Sequence, residues 1–148
     1  MTVEPRRAVH RTQWAAQFAV ASELCKHGYE VAFTMGNHPT VDIMVRSPHG
    51  QAFGIDVKGL YKPNWWVVKP KDPREMLYYV LAYVPDEGGN RYFVLDQEQL
   101  NAEIAAELER ALARAVAKGR SGEKAGAFPG ISWKFAERFE NAWGNLPR

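Results

Sequence analysis

The stretch from Val41 to Lys58 constrains the fold more than any other part of the chain. It holds two runs of alternating apolar and polar residues, Val41 to Arg46 and Ala52 to Lys58, around Ser47-Pro48-His49-Gly50-Gln51. Strict alternation marks a strand with one buried face, and the Pro- and Gly-bearing interval between the runs is a hairpin loop by composition. With Pro48-His49-Gly50 as a three-residue loop and Gly50 in the left-handed region, Ser47 faces Gln51 and the register is set. Val45 then pairs with Phe53, Ile43 with Ile55 and Val41 with Val57, so one face of the hairpin is wholly apolar. The same register sets Asp42 opposite Asp56 on the other face, beside Met44 and Gly54. Lys58 lies two residues past Asp56 and points the same way.

Two carboxylates held opposite one another repel unless a proton or a cation comes between them. Magnesium resolves that conflict, because it takes one or two carboxylates and keeps several waters. Those waters can be oriented or deprotonated for attack on a phosphate, and a nearby lysine can position the nucleophile or offset the charge that develops. Asp56-Val57-Lys58 by itself reads as a surface ion pair on a half-exposed strand, worth little. Asp42 in register with it turns the reading toward metal-assisted phosphodiester hydrolysis.

The rest of the chain supports a single α/β domain over residues 10–148, preceded by a polar arm at 1–9. From about His10 to His27 the pattern is helical, with Trp14, Phe18, Ala21 and Cys25 as the apolar stripe, Val20 and Leu24 widening it, and Gly28 just past the helix end. Tyr29 to Phe33 reads as a strand, closed by the turn Gly36-Asn37-His38-Pro39. Gly59, Pro63, Pro70 and Pro73 forbid a continuous helix from 59 to 74 and leave Trp65 to Val68 as a short strand. Further strands fall at Leu77 to Val84 and Arg91 to Leu95. Asp96 with Gln99 forms a capping-box pattern ahead of a helix carrying Leu100, Ile104, Leu108, Leu112 and Val116. Residues 120–130 read as a mobile loop, and Trp133 to Trp143 as a last short helix.

With 148 residues, 46% of them hydrophobic, the chain can build one core without staples. Cys25 is the only cysteine, which rules out an intrachain disulfide, and it reads as a core residue rather than a nucleophile. No apolar run approaches membrane-spanning length, and the expected location is cytoplasmic. A net charge of +2 is too mild to announce a nucleic-acid binder. The cations nevertheless cluster at Arg6, Arg7, His10 and Arg11, at Lys62, Lys69, Lys71 and Arg74, and at Lys118, Arg120 and Lys124. Rings interleave with the middle cluster (Tyr61, Trp65, Trp66), as on surfaces that stack bases, although this strand can equally pack into the core.

The order of these elements resembles the PD-(D/E)XK, or restriction-endonuclease-like, superfamily, and within it a bacterial branch of small members. A leading helix ends in Gly28-Tyr29, a strand carries Val41-Asp42-Ile43, a hairpin follows, and a strand ends in Ile55-Asp56-Val57-Lys58. The match is best over residues 12 to 60. The resemblance implies a restriction-endonuclease-like core, a mixed central β-sheet flanked by helices. It implies Asp42 and Asp56 as magnesium ligands, with the Val57 backbone carbonyl as a further ligand, manganese able to substitute, and Lys58 as the catalytic lysine. The expected activity is hydrolysis of DNA in defence, repair or recombination, with Arg11, Lys62, Lys69 and Lys71 touching the nucleic acid. Cutting of both strands would favour a homodimer.

Two positions depart from the pattern. Pro39 does not directly precede Asp42. Gln17 stands where the branch commonly carries a catalytic glutamate, which removes one negative charge from the site. The alternative expectation is therefore an attenuated module that keeps the fold and binds nucleic acid or a protein partner. Glu23 is a poor substitute, since six residues turn a helix by about 240°.

Overall fold

The hairpin forms with the expected loop. In the computed structural model, which describes residues 9–70, 72, 74–120 and 129–148, Gly50 has φ +92° and Ser47 donates its amide to the Gln51 carbonyl at 2.8 Å. Strands β2 (Ile43–Arg46) and β3 (Ala52–Leu60) pair antiparallel through Ile43–Ile55, Met44–Gly54, Val45–Phe53 and Arg46–Ala52. The arm at 1–8, Lys71 and most of the loop expected at 120–130 lie outside the described residues.

Around the hairpin a five-stranded mixed sheet assembles in the order β1-β2-β3-β5-β6. Strands β1 (Glu30–Phe33), β5 (Leu77–Tyr83) and β6 (Arg91–Asp96) complete it. Only β3 and β5 run parallel, which requires the long crossover that the prolines after Gly59 already implied. Within that crossover β4 (Trp65–Val67) pairs with β7 (Gly130–Ser132) in a separate two-stranded ribbon.

Each face of the sheet has its own core. Helix α1 (Val9–Lys26) covers one face, where Ala16, Val20 and Leu24 pack on Ile43, Ile55, Val57 and Val80. Helix α2 (Gln97–Ala117), the β4–β7 ribbon and the short α3 (Trp133–Ala136) cover the other, around Tyr79, Leu81, Phe93, Leu95 and Trp66. Gly59 makes the α1 contact possible. A Cβ there would meet the Ala16 methyl at 2.8 Å and the Thr12 carbonyl at 3.1 Å, so the helix can lie this close only on a glycine.

Three sequence expectations are corrected. Helix α1 buries Thr12, Ala16, Gln17, Val20, Ala21 and Leu24, whereas Phe18 and Cys25 are exposed. The large rings of Trp14 and Phe18 stack on each other, and Phe18 packs edge-on against Phe33, which leaves the small residues to face β3. On α2, Leu100 and Ile104 are buried as expected, but Leu108 and Val116 are exposed. A strict four-residue repeat rotates by about 40° per step on a helix of 3.6 residues per turn, so by Leu108 the stripe has left the core. The segment expected as one helix from Trp133 to Trp143 is instead α3, the 3₁₀ turn Glu137–Phe139 and, beyond Asn141 at φ +53°, the 3₁₀ turn Trp143–Asn145. The capping box at Asp96 and Gln99 forms as read, with Gln99 N–H donating to Asp96 Oδ1 at 2.7 Å and Asp96 N–H to Gln99 Oε1 at 3.0 Å.

Candidate metal centre

The β2–β3 ladder ends at Ile43–Ile55, two pairs short of the expected register, so Asp42 does not sit opposite Asp56 in the ladder, and the candidate site is built at that break. Val41 does not pair with Val57. Its side chain crosses to the opposite face, where a Cβ on Gly54 would meet it at 3.0 Å, and it packs there with the α2-side core. Asp42 N–H donates to the Ile55 carbonyl at 2.9 Å, and the two main-chain groups of Val57 go to side chains instead. Asp42 Oδ2 accepts from Val57 N–H at 2.7 Å, and Gln13 of α1 donates its Nε2 to the Val57 carbonyl at 2.7 Å. The unpaired edge of β3 therefore draws in one carboxylate and one amide. His38 shapes the approach, since its Nδ1 accepts from the amides of Thr40 at 3.2 Å and Val41 at 3.0 Å.

Asp56 projects from β3 toward the α2 side and is buried, with Lys58 Nζ 3.0 Å from its Oδ1. The alternation that sets Asp56 and Lys58 on one side of β3 is the one expected. Asp42 is brought close enough to feel both. Burial raises its carboxyl above the usual carboxylate range, and the Asp56 charge adds to that rise. The Val57 N–H bond and the Lys58 ammonium oppose it. Asp42, Asp56 and Lys58 thus share one end of the sheet.

The same end holds two residues that the sequence reading missed. Tyr79 of β5 stands level with Asp56 in the parallel register, and its buried hydroxyl has no hydrogen-bond partner among the described residues. Burial, with help from the Asp56 charge, pushes its pKa up to about 12 against the opposing pull of Arg74. A parallel pairing across a long crossover leaves no sequence signal, so nothing in the chain announced Tyr79. Gln13 did leave one. It lies a turn before Gln17 on the same side of α1, and it is Gln13 whose amide reaches β3. Gln17 is buried on α1 beneath the sheet.

Among the expected nucleic-acid contacts, Arg11 is exposed on the first turns of α1, and Lys62 is exposed with its Nζ 5.5 Å from the Tyr61 ring centre. Lys69 is exposed after β4, and Trp66 is buried in the core.

Two carboxylates suit a magnesium ion that keeps several waters. Asp42 Oδ1 and the Asp56 carboxylate are the oxygens that would hold it. The Val57 carbonyl is already engaged by Gln13 and has only its second lone pair to offer. Among the described residues no group of three or more His, Cys, Asp or Glu gathers to hold a metal. No described helix is long and apolar enough to cross a membrane. The chain matches no protein-family model, no curated protein and no solved structure.

Proposed function

We propose that the protein is a magnesium-dependent nuclease of the PD-(D/E)XK type that hydrolyses phosphodiester bonds in DNA. The observation that carries the reading is the meeting of Asp42, Asp56 and Lys58 at the broken end of the β2–β3 ladder, with Asp42 raised by burial and by its neighbour's charge. A divalent cation held there would polarise a phosphate oxygen and supply a water made more acidic by the metal. Asp42 and Asp56 orient that cation, while the backbone amide of Val57 fixes the Asp42 carboxylate. Lys58 holds its ammonium next to Asp56, where it can steady the attacking water or the charge growing on the phosphate.

A second reading has its own support. Gln17 stands at the α1 position where the resemblance would put an acid, and Gln13 closes its own neutral amide on the Val57 carbonyl. An attenuated module that binds nucleic acid without cutting it follows from those two amides. One experiment separates the readings. Purified protein is incubated with linear, nicked and branched DNA in magnesium or manganese, beside Asp56→Asn and Lys58→Ala. Cutting by the wild type that both folded variants lose supports the nuclease. Equal inertness of all three, with salt-sensitive DNA binding retained, transfers the conclusion to the binding module.

A further inference from the structure

Next to Lys58, where β3 runs out, lies a cleft of about 280 Å³ that hydrolysis at Asp42 and Asp56 does not use. Thr12 and Gln13 of α1 line it, together with Lys58, Tyr61, Trp65 and Val67. Several of these residues carry polar groups: the buried Thr12 hydroxyl, the buried Trp65 indole N–H and the Gln13 amide. Thr12 is only 5% exposed, and its buried hydroxyl has no hydrogen-bond partner among the described residues. That hydroxyl is shut off from the cleft in this conformation, so a ligand would reach it only by a change of the Thr12 rotamer. Gln13 spends its Nε2 on the Val57 carbonyl at 2.7 Å, which fixes the amide plane and leaves its oxygen as the acceptor.

The remaining lining is aromatic or apolar. Tyr61 and Trp65 are half-buried rings, and Lys62 holds its ammonium over the Tyr61 ring. Rings beside a hydroxyl and an amide oxygen match a planar heterocycle whose edge carries both donors and acceptors. The position agrees as well. In a nucleotide only a sugar separates base from phosphate, so a base site has to adjoin the group that meets the phosphate, and Lys58 belongs to both. The volume suits one such heterocycle and excludes a stacked duplex.

We propose that this cleft takes a single unstacked nucleobase of a strand whose phosphate lies at Lys58, so that the protein acts at unpaired nucleotides. The inference rests on the nuclease reading for the phosphate and on the cleft for the base. Its test is equilibrium binding, by fluorescence anisotropy in calcium, of three labelled duplexes. One is fully paired, one has a single unpaired thymidine, and one has an abasic residue at that position. The unpaired thymidine is expected to bind about tenfold tighter than the abasic residue, as one base stacked on protein rings does elsewhere.

Tyr61→Ala should bring that ratio close to one. So should Val67→Trp, which fills the cleft from a residue that is 60% exposed and removes nothing from the core. Circular dichroism establishes that each variant is folded. Equal binding of the thymidine and abasic duplexes to the wild type, discrimination that survives Val67→Trp, or no DNA binding at all overturns the inference. Absent discrimination with magnesium-dependent cutting intact removes the cleft's role and leaves the nuclease. Discrimination without any cutting does the reverse.

Discussion

Two sets of inward-facing carboxylates sit on this fold, and they are neutralised to different degrees. On α2, Glu107 accepts from Arg110 at 2.9 Å and from Arg114 at 3.0 Å, while Glu103 pairs with Arg138. Burial alone would raise the Glu107 carboxyl, but the hydrogen bonds from Arg114 and Arg110 outweigh it and hold the group below its usual range. At the broken end of the hairpin the balance is reversed. Burial and the Asp56 charge raise Asp42 in spite of the Val57 amide and Lys58. The α2 carboxylates carry their own cations, Glu107 from its own helix and Glu103 from Arg138. At Asp42, burial and the Asp56 charge outweigh the Val57 amide and the Lys58 ammonium.

The sharpest way to break that contrast is to remove the groups at the hairpin end. Asp56→Asn and Lys58→Ala are each expected to cut DNA at least about a hundredfold more slowly, with circular dichroism unchanged. A variant that cuts at the wild-type rate would reduce the cluster to an ion pair. Next in size is Glu107→Gln, which leaves two guanidinium groups without their carboxylate and should lower the melting temperature by about 5 °C at pH 7. Because the folded pKa of Glu107 is depressed, its contribution is complete above the ordinary carboxylate value and disappears as pH falls through the lowered one. The gap between wild type and variant, followed by calorimetry, should therefore close only in strong acid.

A smaller effect is expected from restoring an acid to α1. Gln17→Glu should tighten manganese binding by about tenfold, measured by isothermal titration, and raise any cutting rate with it. Unchanged affinity would mean that the buried Gln17 side chain does not reach the cation. The smallest shift in melting temperature belongs to Asp42→Asn, which keeps an oxygen for the Val57 amide, removes a carboxylate raised by burial and should lose DNA cutting as Asp56→Asn does. Here the folded pKa is raised, so the ionised group costs stability above that value and is relieved as pH falls through it. In chelator at pH 7 the variant should melt about 2 °C higher than wild type. Magnesium should raise the wild-type melting temperature and leave the variant's unmoved, because a ligand stabilises only the state that binds it.

The strands, the hairpin loop and the alternation of Asp56 and Lys58 were legible because each depends on neighbours within a few residues. Gly50, the Ser47–Gln51 pair and the capping box at Asp96 are local devices of this kind. The helix faces were less legible. Phe18 and Cys25 lie on a plausible apolar stripe of α1, yet the close approach over Gly59 selects the small side instead. Apolar content did not decide which side was buried; the distance between helix and sheet did.

By itself the sequence determined a hairpin that sets Asp56 and Lys58 on one side of β3 in a mixed α/β sheet, since a period of two and a three-residue loop leave little freedom of register. Only the tertiary structure decided that the ladder ends at Ile43, that Gln13 and the Asp42 carboxylate complete the edge at Val57, and that Tyr79 stands beside Asp56. Those contacts join residues far apart in the chain. They depend on where α1 and β5 come to rest, and no local periodicity encodes that.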